Sequence, residues 1–435
     1  MGIFTPLQAQ IDAITACRPI GRISETARGT LSVTGLPVAA LGDRVEVETG
    51  AGPLGAEVIG LSPRAARVLP EDDPGGLAIG ARVELIGPVR IAPDRSWLGR
   101  IVDPLGRPLD GRPLLMGADQ RSMAGPPPAP AQRRGFGARI STGVAVFDTL
   151  LPLVRGQRIG LFAGSGVGKS SLLARFARGV AADVAVIGLV GERGRELREF
   201  TERVLGPQGM ARSVVVTATS DQSPLMRRRC ALSAMTVAEY FRDQGLHVLL
   251  LIDSVTRFAE AHREVALSAG EEASLRGYPP STSHAIMGLA ERAGPGAGSA
   301  GDITAVFSVL VAGSDMEEPV ADIIRGTLDG HVVLDRKIAE RGRYPAIDLL
   351  RSVSRSLPGA ASETENALIA DARRVLGAYD RAEMMIQAGL YMAGSDPAVD
   401  RAIRLWPKLD GFLAETAPQG GPPASFDRLR ACLVG

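Results

Sequence analysis

Residues 163–170 read Ala163-Gly-Ser-Gly-Val-Gly-Lys-Ser170, and no other stretch restricts the fold of this chain as tightly. The run directly follows the apolar, strand-like residues 159–162 and precedes the helix-like residues 171–176. A glycine loop between a strand and a helix turns backbone N–H groups toward one point at the helix N-terminus, which is an anion site. In that frame Gly164, Ser165, Gly166, Val167 and Gly168 offer N–H groups to phosphate oxygens, and Lys169 neutralises the β and γ phosphates. Ser170 offers a hydroxyl to Mg²⁺, with Ser171 beside it in the first helical turn. Ala163 stands where the motif usually begins with glycine, at the position least exposed to a ligand. The bland alternative, a Gly-rich turn with a chance Lys-Ser pair, would need strand, glycines and helix to fall in this order by accident.

A phosphate loop belongs to a parallel sheet covered by helices, and residues 157–353 read that way. Strand-like runs at 158–162, 184–190, 214–216, 247–252 and 304–311 alternate with helix-like stretches. Ligands in such sheets bind beyond the carboxyl ends of the strands. Upstream, residues 23–91 carry short apolar runs separated by Gly, Pro and Asp, the pattern of a small β-barrel or sandwich. The proline run at 125–130 predicts an extended surface segment near a domain junction. From Glu363 onward the strand signals stop. Leu368, Ala372, Val375 and Leu376, then Met384, Met385 and Leu390, recur at helical spacing. The expectation is an α/β protein with a mainly parallel sheet at its core: a helical segment at 1–20, a β-barrel at 21–92, the core at 93–357 and a helical domain at 358–435. Within the first segment, Leu7, Ile11 and Ile14 form an apolar stripe on a helix too short to be stable alone.

Two further acids follow strands. His247-Val-Leu-Leu-Leu-Ile-Asp253 is an apolar strand ending in a carboxylate, as a magnesium-ordering aspartate requires. Alone, such an Asp more often caps the next helix; with the phosphate loop upstream, the metal reading gains weight. Glu192, in Gly191-Glu-Arg-Gly-Arg-Glu196, could orient water for in-line attack on the γ phosphate. On pattern alone Glu192 is as readily an exposed acid, because Arg193, Arg195, Glu196, Arg198 and Glu199 read as a solvated face.

Composition narrows the setting. Lys+Arg 49 against Asp+Glu 48 leaves a net charge of +1, so no bulk field favours nucleic acid or an anionic membrane. The three cysteines, Cys17, Cys230 and Cys432, lack metal-ligand spacing and leave an odd one over, which fits a reducing cytoplasmic compartment. No apolar run approaches the ~20 residues that span a bilayer, and no secretory leader is expected at the N-terminus.

Several motifs share one order with a known superfamily. Gly191-Glu-Arg-Gly-Arg-Glu196, Pro345-Ala-Ile-Asp-Leu-Leu-Arg-Ser-Val-Ser354 and Val102-Asp-Pro-Leu-Gly-Arg-Pro-Leu-Asp-Gly111 resemble the rotary ATP synthase α/β superfamily. Within it, the phosphate loop, Ala218-Thr-Ser-Asp-Gln-Ser-Pro-Leu225 and Gly277-Tyr-Pro-Pro-Ser281 most resemble the flagellar and type III secretion export ATPases. The resemblance runs over residues 21–403 and implies a RecA-like fold for the core. It implies ATP and Mg²⁺ as cofactors, Glu192 as the water-activating glutamate with Arg193 beside it, Tyr344 packing on adenine, and Arg355 as an arginine finger offered to a neighbouring subunit. Without the family, Tyr344 would read as packing and Arg355 as a surface charge. It also implies a homohexamer, a stalk-type regulator, export chaperones with their cargo, and peripheral contact with a membrane export gate at the inner membrane, with no nucleic acid partner. For the N-terminal stripe it favours docking of the stalk regulator over packing on the chain's own barrel. Two departures stand out: the Asp315-Met-Glu-Glu-Pro319 turn is less acidic than the family's loop, and residues 294–301, rich in Gly, Ala and Ser, read as a flexible linker.

Three rival readings remain at this point. A catalytic subunit of a rotary proton ATPase would need a non-catalytic homologue to alternate with. A hexameric RNA translocase would need a basic-aromatic stacking platform, and aromatic residues are only 4%. A purely structural nucleotide-binding subunit would have no use for Glu192.

Overall fold

In the computed structural model, residues 11, 17–27, 29–311, 316–416 and 419–434 are described. Leu7, Ile14 and Asp315 therefore lie outside the described residues, and of the N-terminal stripe only Ile11, which is exposed, lies within them.

Six strands close a barrel in the order β1-β2-β5-β4-β3-β6. They are β1 Ile20–Ala27, β2 Thr30–Thr34, β3 Asp43–Thr49, β4 Gly52–Leu61, β5 Ala66–Pro70 and β6 Arg82–Pro88. Period-two alternation explains the closure: in β3, Val45 and Val47 point inward while Glu46 and Glu48 point out. Ile23, Leu31, Val33, Val58, Val68 and Val83 complete the barrel's core. Of the barrel and sandwich readings, the chain adopts the barrel.

The edge of the central sheet begins in the family's 102–111 motif. Beyond the short pair β7 Arg90–Ile91 and β9 Arg121–Ser122, strand β8 Arg100–Val102 joins the sheet. The motif is a structural knot. Arg100 grips Asp110 with two hydrogen bonds of 2.6 and 2.8 Å, and Asp103 accepts the N–H groups of Leu105 and Arg107 at 2.8 Å. Gly106, at φ +79, lies against Trp97, whose indole donates to the Leu115 carbonyl. The proline-rich segment that follows runs over the surface, as expected.

The remaining strands are β10 Arg158–Ala163, β11 Val184–Glu192, β12 Ser213–Thr219, β13 Val248–Asp253, β14 Gly294–Pro295, β15 Asp302–Leu310, β16 Gly330–Leu334 and β17 Ile347–Ser354. The order is β17-β16-β10-β15-β13-β11-β12-β8, parallel except for β17 against β16 and β14 against β15. Helices cover both faces, so β13 is buried throughout and reads as one continuous apolar run. One face carries the helix Lys169–Gly179 and continues into the C-terminal helices Glu363–Gln387, Pro397–Ala414 and Gly421–Val434, with Phe147, Leu376, Leu405 and Phe412 in one shared core. The helices Pro224–Asp243, Val255–Ala269 and Ser281–Arg292 cover the other face.

Residues 294–301 depart from the expected flexible linker. β14 pairs with β15, and Arg134 donates to the carbonyls of Ala300 and Gly301 and to Asp302. A Cβ on Gly301 would meet the Leu246 carbonyl oxygen at 1.8 Å, so the glycine is there for close packing.

Candidate active site

The carboxyl ends of β10, β11 and β13 meet at one cleft. After Ala163 the chain turns through Gly166 (φ +79) and Gly168 (φ +87), conformations that favour glycine, and enters the helix at Lys169. Val167 buries its side chain in the core, leaving only its backbone to face a ligand. Gly164, Ser165, Gly166, Gly168, Lys169, Ser170 and Ser171 line a cleft of about 930 Å³, together with Glu192 and Arg193.

Asp253 ends β13 and is buried. Its Oδ1 accepts the Ser308 hydroxyl at 2.6 Å and pairs with the Lys169 ammonium. The bland reading of Asp253 as a helix cap does not hold, because Ser254 caps the helix Val255–Ala269 by accepting the Arg257 N–H. Asp253 is thus left to Lys169, Ser308 and whatever enters the cleft. Ser308 itself escaped the sequence reading; the signal was a hydroxyl near the carboxyl end of a buried, mostly apolar strand.

Glu192 sits at a ladder irregularity at the end of β11, next to Gly191 (φ +70), so its side chain leaves the sheet's regular alternation. It is half-buried rather than solvated. Burial first, then a hydrogen bond with Glu196 and the charge of Asp253, push its carboxyl up to about 7, while Lys169 opposes the rise. Such a carboxyl can exchange a proton near neutral pH. Arg193 points outward with its side chain 76% exposed, 3.5 Å from Glu196.

The other family positions fall elsewhere. Tyr344 packs its ring on the back of the loop: a Cβ on Gly168 would lie 3.0 Å from the ring. The ring is half exposed and does not line the cleft that holds Glu192. Arg355 follows β17, its N–H donating to the Asp329 carbonyl and its guanidinium to the Arg325 carbonyl at 3.4 Å. It is remote from the phosphate loop of its own chain. Sequence reasoning also missed Glu196, Arg227, Arg257 and Glu260, which line the cleft from the facing helices, and Arg336, which donates to the Ser165 carbonyl at 3.1 Å. All five are charged residues on ordinary-looking helices, where a solvated face is the usual meaning.

For a divalent cation, the donors at hand are the Ser170 hydroxyl and the Asp253 carboxylate, hard oxygen ligands that suit Mg²⁺. Among the described residues no group of three or more His, Cys, Asp or Glu could hold a metal ion. The site thus fits an ion that takes most of its shell from phosphate oxygens and water, as Mg²⁺ does with nucleotides.

Residues 143–354 match the ATP synthase alpha/beta family, nucleotide-binding domain, and residues 361–427 match the T3SS EscN ATPase C-terminal domain. The chain is 45% identical to the flagellum-specific ATP synthase of Caulobacter vibrioides over 94% of each chain. It is 41% identical to the type 3 secretion system ATPase of Xanthomonas euvesicatoria, over 95% of this chain and 94% of the other. The assembled ATPase EscN of the enteropathogenic E. coli type III secretion system superposes with a TM-score of 0.87 at 35% identity, covering 95% of this chain and all of that one. EscN in complex with its central stalk EscO gives 0.86 at 36% identity, over 95% of this chain and all of that one.

Proposed function

Because this chain belongs to the family of flagellum-specific ATP synthases and type III secretion ATPases, we propose that its cleft hydrolyses Mg-ATP to drive or assist protein export by a flagellar or related apparatus. The observation that carries this reading is the convergence of Lys169, Asp253 and Glu192 at the ends of three parallel strands. Backbone N–H groups of residues 164–168 cradle the phosphates, and Lys169 neutralises them. Ser170 and Asp253 hold Mg²⁺, which when bound neutralises charge on the β and γ oxygens. Glu192, half-buried beside the loop, orients the attacking water and takes its proton. Tyr344, seated on Gly168, stacks on the base, and Arg193 stands at the cleft's outer rim.

Arg355 completes the site of a neighbouring copy, which makes the working unit a ring; we take it to be a homohexamer, with every subunit catalytic. EscN is known in an assembled form and with a central stalk, and we propose a stalk-type regulator for this chain as well. Export chaperones with their cargo and a membrane export gate are further partners on the same reading, with the ring peripheral to the inner membrane. No helix among the described residues is long and apolar enough to cross a membrane. We place the barrel at 21–92, the core at 93–357 and the helical domain at 358–435; barrel strands running from Ile20 to Pro88 and a first C-terminal helix starting at Glu363 support this division to within a few residues. No observation favours the RNA translocase or a mixed proton-ATPase ring. The test is steady-state phosphate release by the purified protein with Mg-ATP: turnover that needs both Lys169 and Glu192 supports the reading, and turnover that survives their loss refutes it.

A further inference from the structure

We infer that the N-terminal barrel positions Glu192: the Glu57 and Glu71 carboxylates act through Arg228 and Arg229, at the start of the helix Pro224–Asp243, as positioning residues for the turnover step. The inference rests on the role given to Glu192 above.

The tie begins inside the barrel wall. Glu57 and Glu71 are buried, and Gly55 is what admits Glu71, since a Cβ there would lie 1.8 Å from its Oε2. Arg229, 2% exposed, reaches back from the core and donates to Glu57 Oε2 at 2.7 and 3.2 Å and to Glu71. Arg228 donates to Glu57. Arg44 closes the cluster on the barrel side, at 3.1 Å from Glu71 and 2.8 Å from Glu46. Three guanidinium groups and three carboxylates thus lie at the junction. A buried pair is weak evidence for stability but strongly restricts geometry.

The helix held in this way begins beside the catalytic strand. Its N-cap Ser223 accepts the Met226 N–H. Arg227, one residue before the cluster, donates to the Gln222 carbonyl at 3.1 Å, and its Cδ lies 3.6 Å from where a Gly191 Cβ would be. Gln222 returns to Thr219 through both its N–H and its side-chain carbonyl. Ser220 then donates its N–H to the Glu192 carbonyl at 3.0 Å. From Glu57 to the Glu192 backbone the path runs through hydrogen bonds joined by two peptide links, Arg228 to Arg227 and Thr219 to Ser220. Arg227 and Ser220 line the cleft on the side of Glu192, and among the described residues no hydrogen bond given for the tie reaches residues 164–170 or Tyr344, so the tie bears first on the water-activating group.

The experiment is a double-mutant cycle on the full chain, read as single-turnover ATP hydrolysis, which reaches the residual rate of Glu192→Gln. Glu57→Gln should lower turnover about tenfold, within the hundredfold that a misplacement of roughly 1 Å can cost, with KM for ATP unchanged. In the Glu192→Gln background the same change should cost nothing further. Arg228→Gln, which leaves both Arg229 pairs in place, serves as a milder second variant should Glu57→Gln unfold. Wild-type turnover in Glu57→Gln, or an equal loss in both backgrounds, would overturn the tie and leave the cluster as mere junction glue. Full turnover by Glu192→Gln alone would instead refute the role of Glu192, a failure visible before any barrel residue is changed.

Discussion

Lys169 and Arg355 lie toward opposite ends of one parallel sheet. Arg355 donates its N–H to Asp329, whose own N–H binds the Arg158 carbonyl at the start of β10, whereas Lys169 follows the end of the same strand. The strand between them spans about 17 Å at the usual rise per residue. On the proposed reading, Arg355 serves the site of another copy.

That separation sets the first prediction. Arg355→Ala and Glu192→Gln should each reduce turnover to a small residue in a ring made of one variant, an arginine finger being worth about 10³ to 10⁵ in rate. Mixed rings should recover activity, because some interfaces then pair an intact Glu192 with an intact Arg355. Phosphate release from mixtures whose composition is verified by native mass spectrometry checks this; no recovery would place Arg355 outside the reaction.

A second prediction concerns pH. With its carboxyl pushed up to about 7, Glu192 is protonated below that value and cannot accept a proton from water. kcat/KM should fall about tenfold per pH unit below 7 and level off above it. Glu196→Gln removes a neighbouring acid that raises Glu192, so the acid limb should move down toward the ordinary carboxylate range. An unmoved limb would assign it to another group.

A third concerns the edge of the sheet. Gly106 has φ +79, and a Cβ there would sit 2.7 Å from Trp97. Gly106→Ala should destabilise the core by about 1–3 kcal/mol through overpacking, with the backbone strain adding to it. Thermal unfolding followed by Trp97 fluorescence in a Trp406→Phe background reads this directly; an unchanged midpoint would show that the indole yields freely.

Much of this was legible in the residues because local chemistry and fold agree there. The phosphate loop announces its strand, its turn and its helix, and an unbroken apolar strand such as β13 announces burial on both faces. Glu192 was ambiguous, since a charged turn looks alike whether it is solvated or folded over a cleft; what decides is the ladder irregularity at Gly191 and the packing of the facing helix, both tertiary. Residues 294–301 misled for a related reason. Glycines that loosen a free chain also permit the closest packing, and only the neighbour across the gap, here Leu246 and Arg134, distinguishes the two. The ties between Glu57, Glu71 and Arg229 join residues more than 150 positions apart and carry no local signature.

The most direct test of the account compares nucleotide binding and turnover in two variants. Lys169→Ala should lose both, because the charge on the phosphates goes unmatched, whereas Glu192→Gln should bind Mg-ATP with near-native affinity and turn over about 10² to 10⁴ times more slowly. Calorimetric binding alongside phosphate release separates the two defects; near-normal hydrolysis by Glu192→Gln would contradict the central claim that this carboxylate activates the attacking water.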